Sequence, residues 1–284
     1  MSNILYAFIL FASLGLVLGV VLAVVSKVFA VKTNPKVEKI AELLPGANCS
    51  GCGYTSCHAL AEAIEKGVAK TNACRVCDAE TISEISELMG VAPEKTVRMR
   101  AQVMCTGTFD KARSKYVYEG PRDCAAAAKL GGGNKACLNG CIGFGTCVSK
   151  CNFGAISVID GVAQIDYAKC MGCGTCVAAC PKHIIKLIPY DAAYWVGCMS
   201  VDNGRTTMRN CDAGCIGCRI CEKNCKTGAI TIHDGVAAID YGKCVGCGVC
   251  VINCPRKIIH TGNLHHHVRV LTDMALDERE NAKR

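Results

Sequence analysis

The sequence predicts an α+β chain with a single N-terminal transmembrane helix, a small helical domain and two tandem cysteine-rich units. Three observations carry this reading: an uncharged apolar run from Ile4 to Val25, 25 cysteines gathered into short runs among 284 residues, and a cysteine pattern that recurs at an offset of 74 residues. The expected segments are an anchor over 1–30, a four-cysteine domain over 31–95 and a connector with the first repeat unit over 96–190. The second unit covers 191–262 and a tail covers 263–284.

Composition limits the function classes. With aromatics at only 5%, a conventional core is thin, so bound inorganic groups must replace part of it. The cysteines fall in metal-binding runs rather than at the loop-spanning intervals of a disulfide scaffold, which indicates a reducing compartment. The formal charge of +8 does not imply nucleic acid. Five four-iron clusters at about −2 each would bring the loaded chain to about −2, so the basic excess balances buried negative groups.

The run from Ile4 to Val25 has 22 residues. As a helix it is about 33 Å long, enough to span a bilayer. No Lys or Arg precedes it, unlike a signal peptide, and no polar face interrupts it. Lys27, Lys32, Lys36 and Lys39 follow it, which puts the C-terminal body in the cytoplasm by the positive-inside rule. A short helix over Val37–Leu44, stopping at Pro45-Gly46, opens the next domain.

Cys49, Cys52, Cys57 and Cys74 then form a self-contained four-ligand set, with a helix around Ala59–Lys66 between the third and the fourth. Glycines 46, 51 and 53 let the loop fold round a cube and aim N–H groups at its sulfides. Cys77 is a nearby thiol able to substitute for Cys74, and Ile82–Met89 is an amphipathic segment that packs on this domain. Between Met99 and Gly133 the pattern is indistinct. Gly131-Gly132-Gly133-Asn134-Lys135 lacks P-loop spacing and reads as a flexible connector, and no dinucleotide fingerprint occurs anywhere.

The repeat is the strongest signal. Cys215, Cys218, Cys221 and Cys225 are followed by Cys244, Cys247, Cys250, Cys254 and Pro255, two C-x2-C-x2-C-x3-C runs. Three sulfurs of each run ligate one [4Fe-4S] cube and the fourth crosses to the other. One ligand set is therefore Cys215, Cys218, Cys221 and Cys254; the other is Cys244, Cys247, Cys250 and Cys225. Zinc would need only four ligands, usually as two separated pairs. Subtracting 74 gives the first copy, with Cys170, Cys173, Cys176 and Cys151 as one set. The same offset maps Cys124 to Cys198 and Cys137 to Cys211. Asp160-Gly161 and Asp234-Gly235 fall between β-branched alternations, so each unit gains a hairpin and reads as an α+β bacterial 2[4Fe-4S] ferredoxin-like unit.

The repeat breaks at Phe144, which stands where the second copy has Cys218. Either the first copy holds a three-iron cluster on Cys141, Cys147 and Cys180, or a spare cysteine supplies the fourth bond. Cys137, four residues before Cys141 with Gly140 between, is the first choice. Cys105, Cys124, Cys198 and Cys211 then remain, enough for a sixth cluster or simply reduced thiols. The expected cofactors are at least five [4Fe-4S] clusters, without flavin or NAD.

With its anchor, its Cys49–Cys74 domain and its paired cysteine runs, the chain resembles over nearly its whole length the B subunits of Rnf complexes, membrane-bound ion-translocating ferredoxin:NAD+ oxidoreductases. The two units and extra cysteines are similar to the longer, anaerobe-type members. The resemblance implies an electron-transfer subunit of a translocase in the cell membrane, with no bond chemistry of its own. Its partners would be the other Rnf subunits and soluble ferredoxin as donor. A membrane-tethered polyferredoxin serving another redox complex, such as a hydrogenase, is the alternative. Co-purification with flavin-bearing integral subunits separates the two. His265-His266-His267 in the tail reads as a solvated stretch.

Overall fold

A computed structural model of the chain describes residues 2–28, 34–94 and 96–262. Lys32, the three-histidine run and the rest of the tail lie outside the described residues. The chain is a mixture of short helices and two-stranded sheets.

The first helix, α1 (Ser2–Val28), contains a 19-residue window, Ile9–Lys27, of mean hydropathy 2.7, none of it buried against protein. It is long and apolar enough to cross a membrane.

Three helices then enclose a small core. Asn34 caps α2 (Pro35–Leu43) by accepting from the Lys36 amide, with Pro35 in the first turn where its missing N–H costs nothing. Ser56 caps α3 (Cys57–Glu65), and Asp78 caps α4 (Ala79–Met89), which ends on left-handed Gly90. Ile40, Leu60, Ile64 and Ile85 meet with Cys74 in the centre, so the apolar faces read from the sequence all point to one place.

The body begins with β1 (Met99–Val103). Two short helices follow, α5 (Cys124–Lys129) and α6 (Thr146–Ser149), then the hairpin β2 (Ile156–Ile159) and β3 (Val162–Ile165). After α7 (Thr175–Ala179) comes β4 (Ile185–Pro189), which returns antiparallel to β1 with Met99 opposite Pro189 and Val103 opposite Ile185. The second half has β5 (Tyr194–Val196), α8 (Gly204–Asn210), α9 (Ile220–Lys223), the hairpin β6 (Ile230–His233) and β7 (Val236–Ile239), α10 (Val249–Ile252) and β8 (Ile259–Thr261). Its last strand pairs with β5 and its hairpin strands with each other.

Both hairpins turn at their Asp-Gly pairs. Asp160 and Gly161 have φ of 47° and 75°, and Asp234 and Gly235 have 47° and 81°, the paired positive values of a turn whose twist matches the strands it joins. The strand β1 lies in the stretch with no clear sequence signal. Its Arg100 is fully buried, donating to the Tyr190 carbonyl and to Gln102 Oε1, with its guanidinium 3.9 Å from the centre of the Tyr167 ring. A charge inside a strand hides the alternation that would announce it.

The segment 131–135 is not the loose connector expected from its glycines. Gly131, Gly132 and Gly133 all have positive φ, and the turn they make carries Lys135 into the interior, where it is 3% exposed.

Candidate iron-sulfur centres

In the small domain, Cys49, Cys52, Cys57 and Cys74 line one cavity, and Cys77 is absent from its wall. The Cys77 thiol donates to Cys74, which holds the Cys74 thiol down to about 6 and raises that of Cys77. Asn48 Oδ1 accepts from the Cys57 amide at 2.8 Å and ties the loop to the start of α3.

One wall of this cavity belongs to the body. Cys173 lines it, Thr175 Oγ1 donates to the Cys49 carbonyl at 3.0 Å, and a Cβ on Gly51 would collide with the Cys173 carbonyl. The two cysteine loops therefore pack backbone against backbone, which requires glycine at 51.

In the second half, Cys215, Cys218, Cys221 and Cys254 line a cavity together, combining three sulfurs of one run with the fourth of the other. Burial pushes the Cys221 thiol up to about 11, with Cys215, Cys218 and Cys254 adding to the rise. Around Cys244, burial raises the thiol and Cys247 and Cys225 act in the same sense; Cys250, at about 11, feels Cys244 and Cys247. The first half repeats this crossing: Cys176, pushed to about 12 by burial, feels Cys173, Cys170 and Cys151.

The site interrupted by Phe144 differs from the sequence expectation. Its cavity is lined by Cys141, Cys147, Cys180 and Cys124, and not by Cys137. Cys124 opens α5, and a capping network fastens that end to α6: Asp123 accepts from the Ala126 amide and from Thr146 Oγ1, and Thr146 Oγ1 accepts from the Cys124 amide at 2.7 Å. Phe144 stacks at 5.0 Å on Tyr118 and packs with Cys124, Ala127 and Ile142. The residue that displaces one cysteine thereby anchors the helix that brings another.

Cys137 instead lines a separate cavity with Cys105, Cys198 and Cys211. The offset of 74 holds from Cys137 onward but fails before it. The amide of Met104 donates to Ile184 O as that of Gly197 does to Ile258 O, so Val103 corresponds to Val196 and Cys105 to Cys198, an offset of 93. The first copy therefore carries 19 additional residues, and Cys124 belongs to that insertion. The same correspondence appears in the bonding: the Cys141 amide donates to Cys105 Sγ at 3.4 Å, and the Cys215 amide donates to Cys198. Each half thus gives this central cavity the cysteine after its first strand and the one before its first run. Aligning the copies on Val103 and Val196 would have revealed this from sequence.

The four cysteine-lined cavities are of similar size, with empty volumes of about 440, 400, 360 and 320 Å³. Among the described residues, no three Cys, His, Asp or Glu side chains gather tightly enough for a single metal ion. Sulfurs ringing a cavity suit a cube that takes one thiolate at each corner. Backbone N–H groups also point at sulfur: Ala101 to Cys170, Ala155 to Cys151, Ala229 to Cys225 and Ser200 to Cys198, at 3.3–3.4 Å. Such donors stabilise a thiolate, so the residues fit four-iron clusters.

Comparison with known proteins agrees with this chemistry. A family model for an Fe-S cluster matches residues 44–76, a 4Fe-4S binding domain matches 163–186 and a 4Fe-4S dicluster domain matches 214–258. The B subunit of the ion-translocating oxidoreductase complex of Methanosarcina acetivorans is 41% identical over 249 residues, covering 87% of this chain and 94% of that protein. The chain belongs to the family of B subunits of ion-translocating oxidoreductase complexes. The B subunit of the Na(+)-translocating ferredoxin:NAD(+) oxidoreductase complex of Acetobacterium woodii is 40% identical, covering 81% of this chain and 69% of that one. The proton-translocating counterpart of Clostridium ljungdahlii is 38% identical, covering 84% and 85%. In this B subunit, the 44–76 match coincides with the small domain that docks through Gly51, and the dicluster match coincides with the crossed cysteine runs of the second half.

Proposed function

We propose that this chain is the iron-sulfur electron-carrying subunit of an Rnf-type ion-translocating ferredoxin:NAD+ oxidoreductase, accepting electrons from reduced ferredoxin and passing them along six [4Fe-4S] clusters in one line. Bound clusters supply one-electron storage; the chain's residues ligate them, exclude water and set their potentials. Its other partners are the remaining subunits of the complex.

The ligand sets are Cys49, Cys52, Cys57 and Cys74; Cys170, Cys173, Cys176 and Cys151; Cys124, Cys141, Cys147 and Cys180; Cys105, Cys137, Cys198 and Cys211; Cys215, Cys218, Cys221 and Cys254; and Cys244, Cys247, Cys250 and Cys225. The third replaces the set with Cys137 and the fourth replaces the extra set with Cys124. The domain scheme is an anchor, a small cluster domain and two tandem ferredoxin-like units joined by the fourth set.

The observation that carries the reading is the continuity between successive sets. Cys173 lines the cavity of the small domain. Cys147 acts electrostatically on Cys176, and the Cys141 amide donates to Cys105. Cys198 feels Cys215, and Cys250 feels Cys221. Successive sets in the order given are neighbours, through a shared cavity, a hydrogen bond or a common core cluster, which is the arrangement a relay needs and a structural scaffold does not. Lys27 in the last turn of α1, with Lys36 and Lys39 beyond it, supports a body on the cytoplasmic side of the cell membrane.

The test is anaerobic mixing of the purified chain with reduced ferredoxin. Bleaching of the cluster absorbance without NAD(H) binding is expected. Absence of transfer, or tight nicotinamide binding by the isolated chain, would overturn the reading.

A further inference from the structure

Lys135 has no part in ligation, yet among the described residues it is one of the most deeply buried charges, 3% exposed. Its Nζ donates to the Gly107 and Gly161 carbonyls, both at 2.7 Å, and lies 5.2 Å from the centre of the Phe109 ring. Those partners are neutral, and among the described residues no carboxylate forms an ion pair with it. Asp202 lines the same central cavity without reaching it. A buried cation with only dipoles for company is costly unless an anion sits nearby.

The structure around Lys135 shows where that anion belongs. Lys135 lines the central cavity with Cys105, Cys137, Cys198 and Cys211, and its acceptor, the Gly161 carbonyl, packs against Gly143 in the wall of the adjoining Cys141 cavity. The second copy has no such group, because the corresponding Arg209 is exposed at the end of α8. The cation is therefore a feature of the junction between the two halves and not of the repeat. Its two carbonyl acceptors come from the segment after β1 and from the β2–β3 turn, whose counterpart Gly235 exists in the second copy, so it is the buried lysine and not the turn that distinguishes the first copy.

We propose that Lys135 is a positioning residue for electrons: its fixed positive charge offsets the negative charge of the two clusters flanking it and raises their reduction potentials above those of the same clusters without it. An added electron makes each cluster more negative, and a cation in a low-dielectric interior favours that state. Lys135 thereby makes the crossing between the two halves the preferred resting point of an electron. The inference rests on the six-cluster reading for the central site, but Cys141 gives it a second reporter.

The experiment is an EPR-monitored redox titration of the full-length protein as wild type, Lys135→Met, Lys135→Gln and Lys135→Arg, with iron and sulfide counted for each. The neutral variants are expected to keep their iron and to lower the reduced-to-oxidised ratio of two clusters by about tenfold at fixed potential, about 59 mV for a one-electron couple. The other clusters should stay unmoved, and Lys135→Arg should restore most of the shift. Unchanged potentials in iron-replete neutral variants, or an equal shift in every cluster, would overturn the proposal. If the neutral variants lose iron, retention by Lys135→Arg supports charge compensation, and loss in that variant too refutes it. A wild-type count one cluster short would refute the central site alone, leaving the cluster at Cys141 to report on Lys135.

Discussion

Phe144 and Cys124 act as a pair. The phenylalanine removes a ligand from a loop that its repeat partner keeps at Cys218, and its ring packs on the helix that delivers Cys124 to the same cavity. Replacing Cys124 by Ala is expected to leave three thiolates and convert that cluster to a three-iron form with a new EPR signal in the oxidised protein. Adding Phe144→Cys to that variant should restore the four-iron form, since position 144 corresponds to Cys218. Cys137→Ala should instead remove the central cluster, about four irons, and leave the cluster at Cys141 intact. If Cys137→Ala gives the three-iron signal and Cys124→Ala does not, the assignment is reversed. The loss at Phe144 was legible in the sequence, but its compensation was not. Cys124 sits in a 19-residue insertion, so the offset of 74 read from the later runs pairs it with Cys198, whose structural counterpart is Cys105.

Among the elements, α5 depends on its cap. Asp123 holds both the Ala126 amide and Thr146 Oγ1, so Asp123→Ala should weaken the start of α5 and loosen Cys124. Faster loss of one cluster's iron to a chelator would register this, whereas loss at the wild-type rate would show that the cap does not hold the ligand. The docking of the small domain depends on Gly51. Gly51→Val would drive a side chain into the Cys173 carbonyl, separating the two loops while leaving every ligand in place. Unchanged iron content with weaker magnetic coupling between reduced clusters is expected; unaltered coupling would show that this contact does not set the spacing. The hairpins and small-domain helices were readable from Asp-Gly turns and apolar spacing. The strand β1 was not, because buried Arg100 and Gln102 break its apolar pattern and its partner, β4, lies more than 80 residues away.

For the whole molecule, the apolar N-terminal helix, the Cys49–Cys74 set and the duplicated runs were legible in the sequence, the last two because metal ligands impose spacing that survives without a large core. What spacing alone cannot give is which thiols meet between the units, where Cys137 and not Cys124 lines the central cavity with Cys105, Cys198 and Cys211. Topology has its own test: protease added to sealed, right-side-out cells should leave the cluster domains intact, and digestion from outside would contradict a cytoplasmic body. The central claim, that six four-iron clusters form one unbroken line through the chain, is tested most directly by counting iron and acid-labile sulfide on the anaerobically purified full-length protein. The account predicts about 24 of each per chain, and about 20 would contradict the central site that joins the two halves.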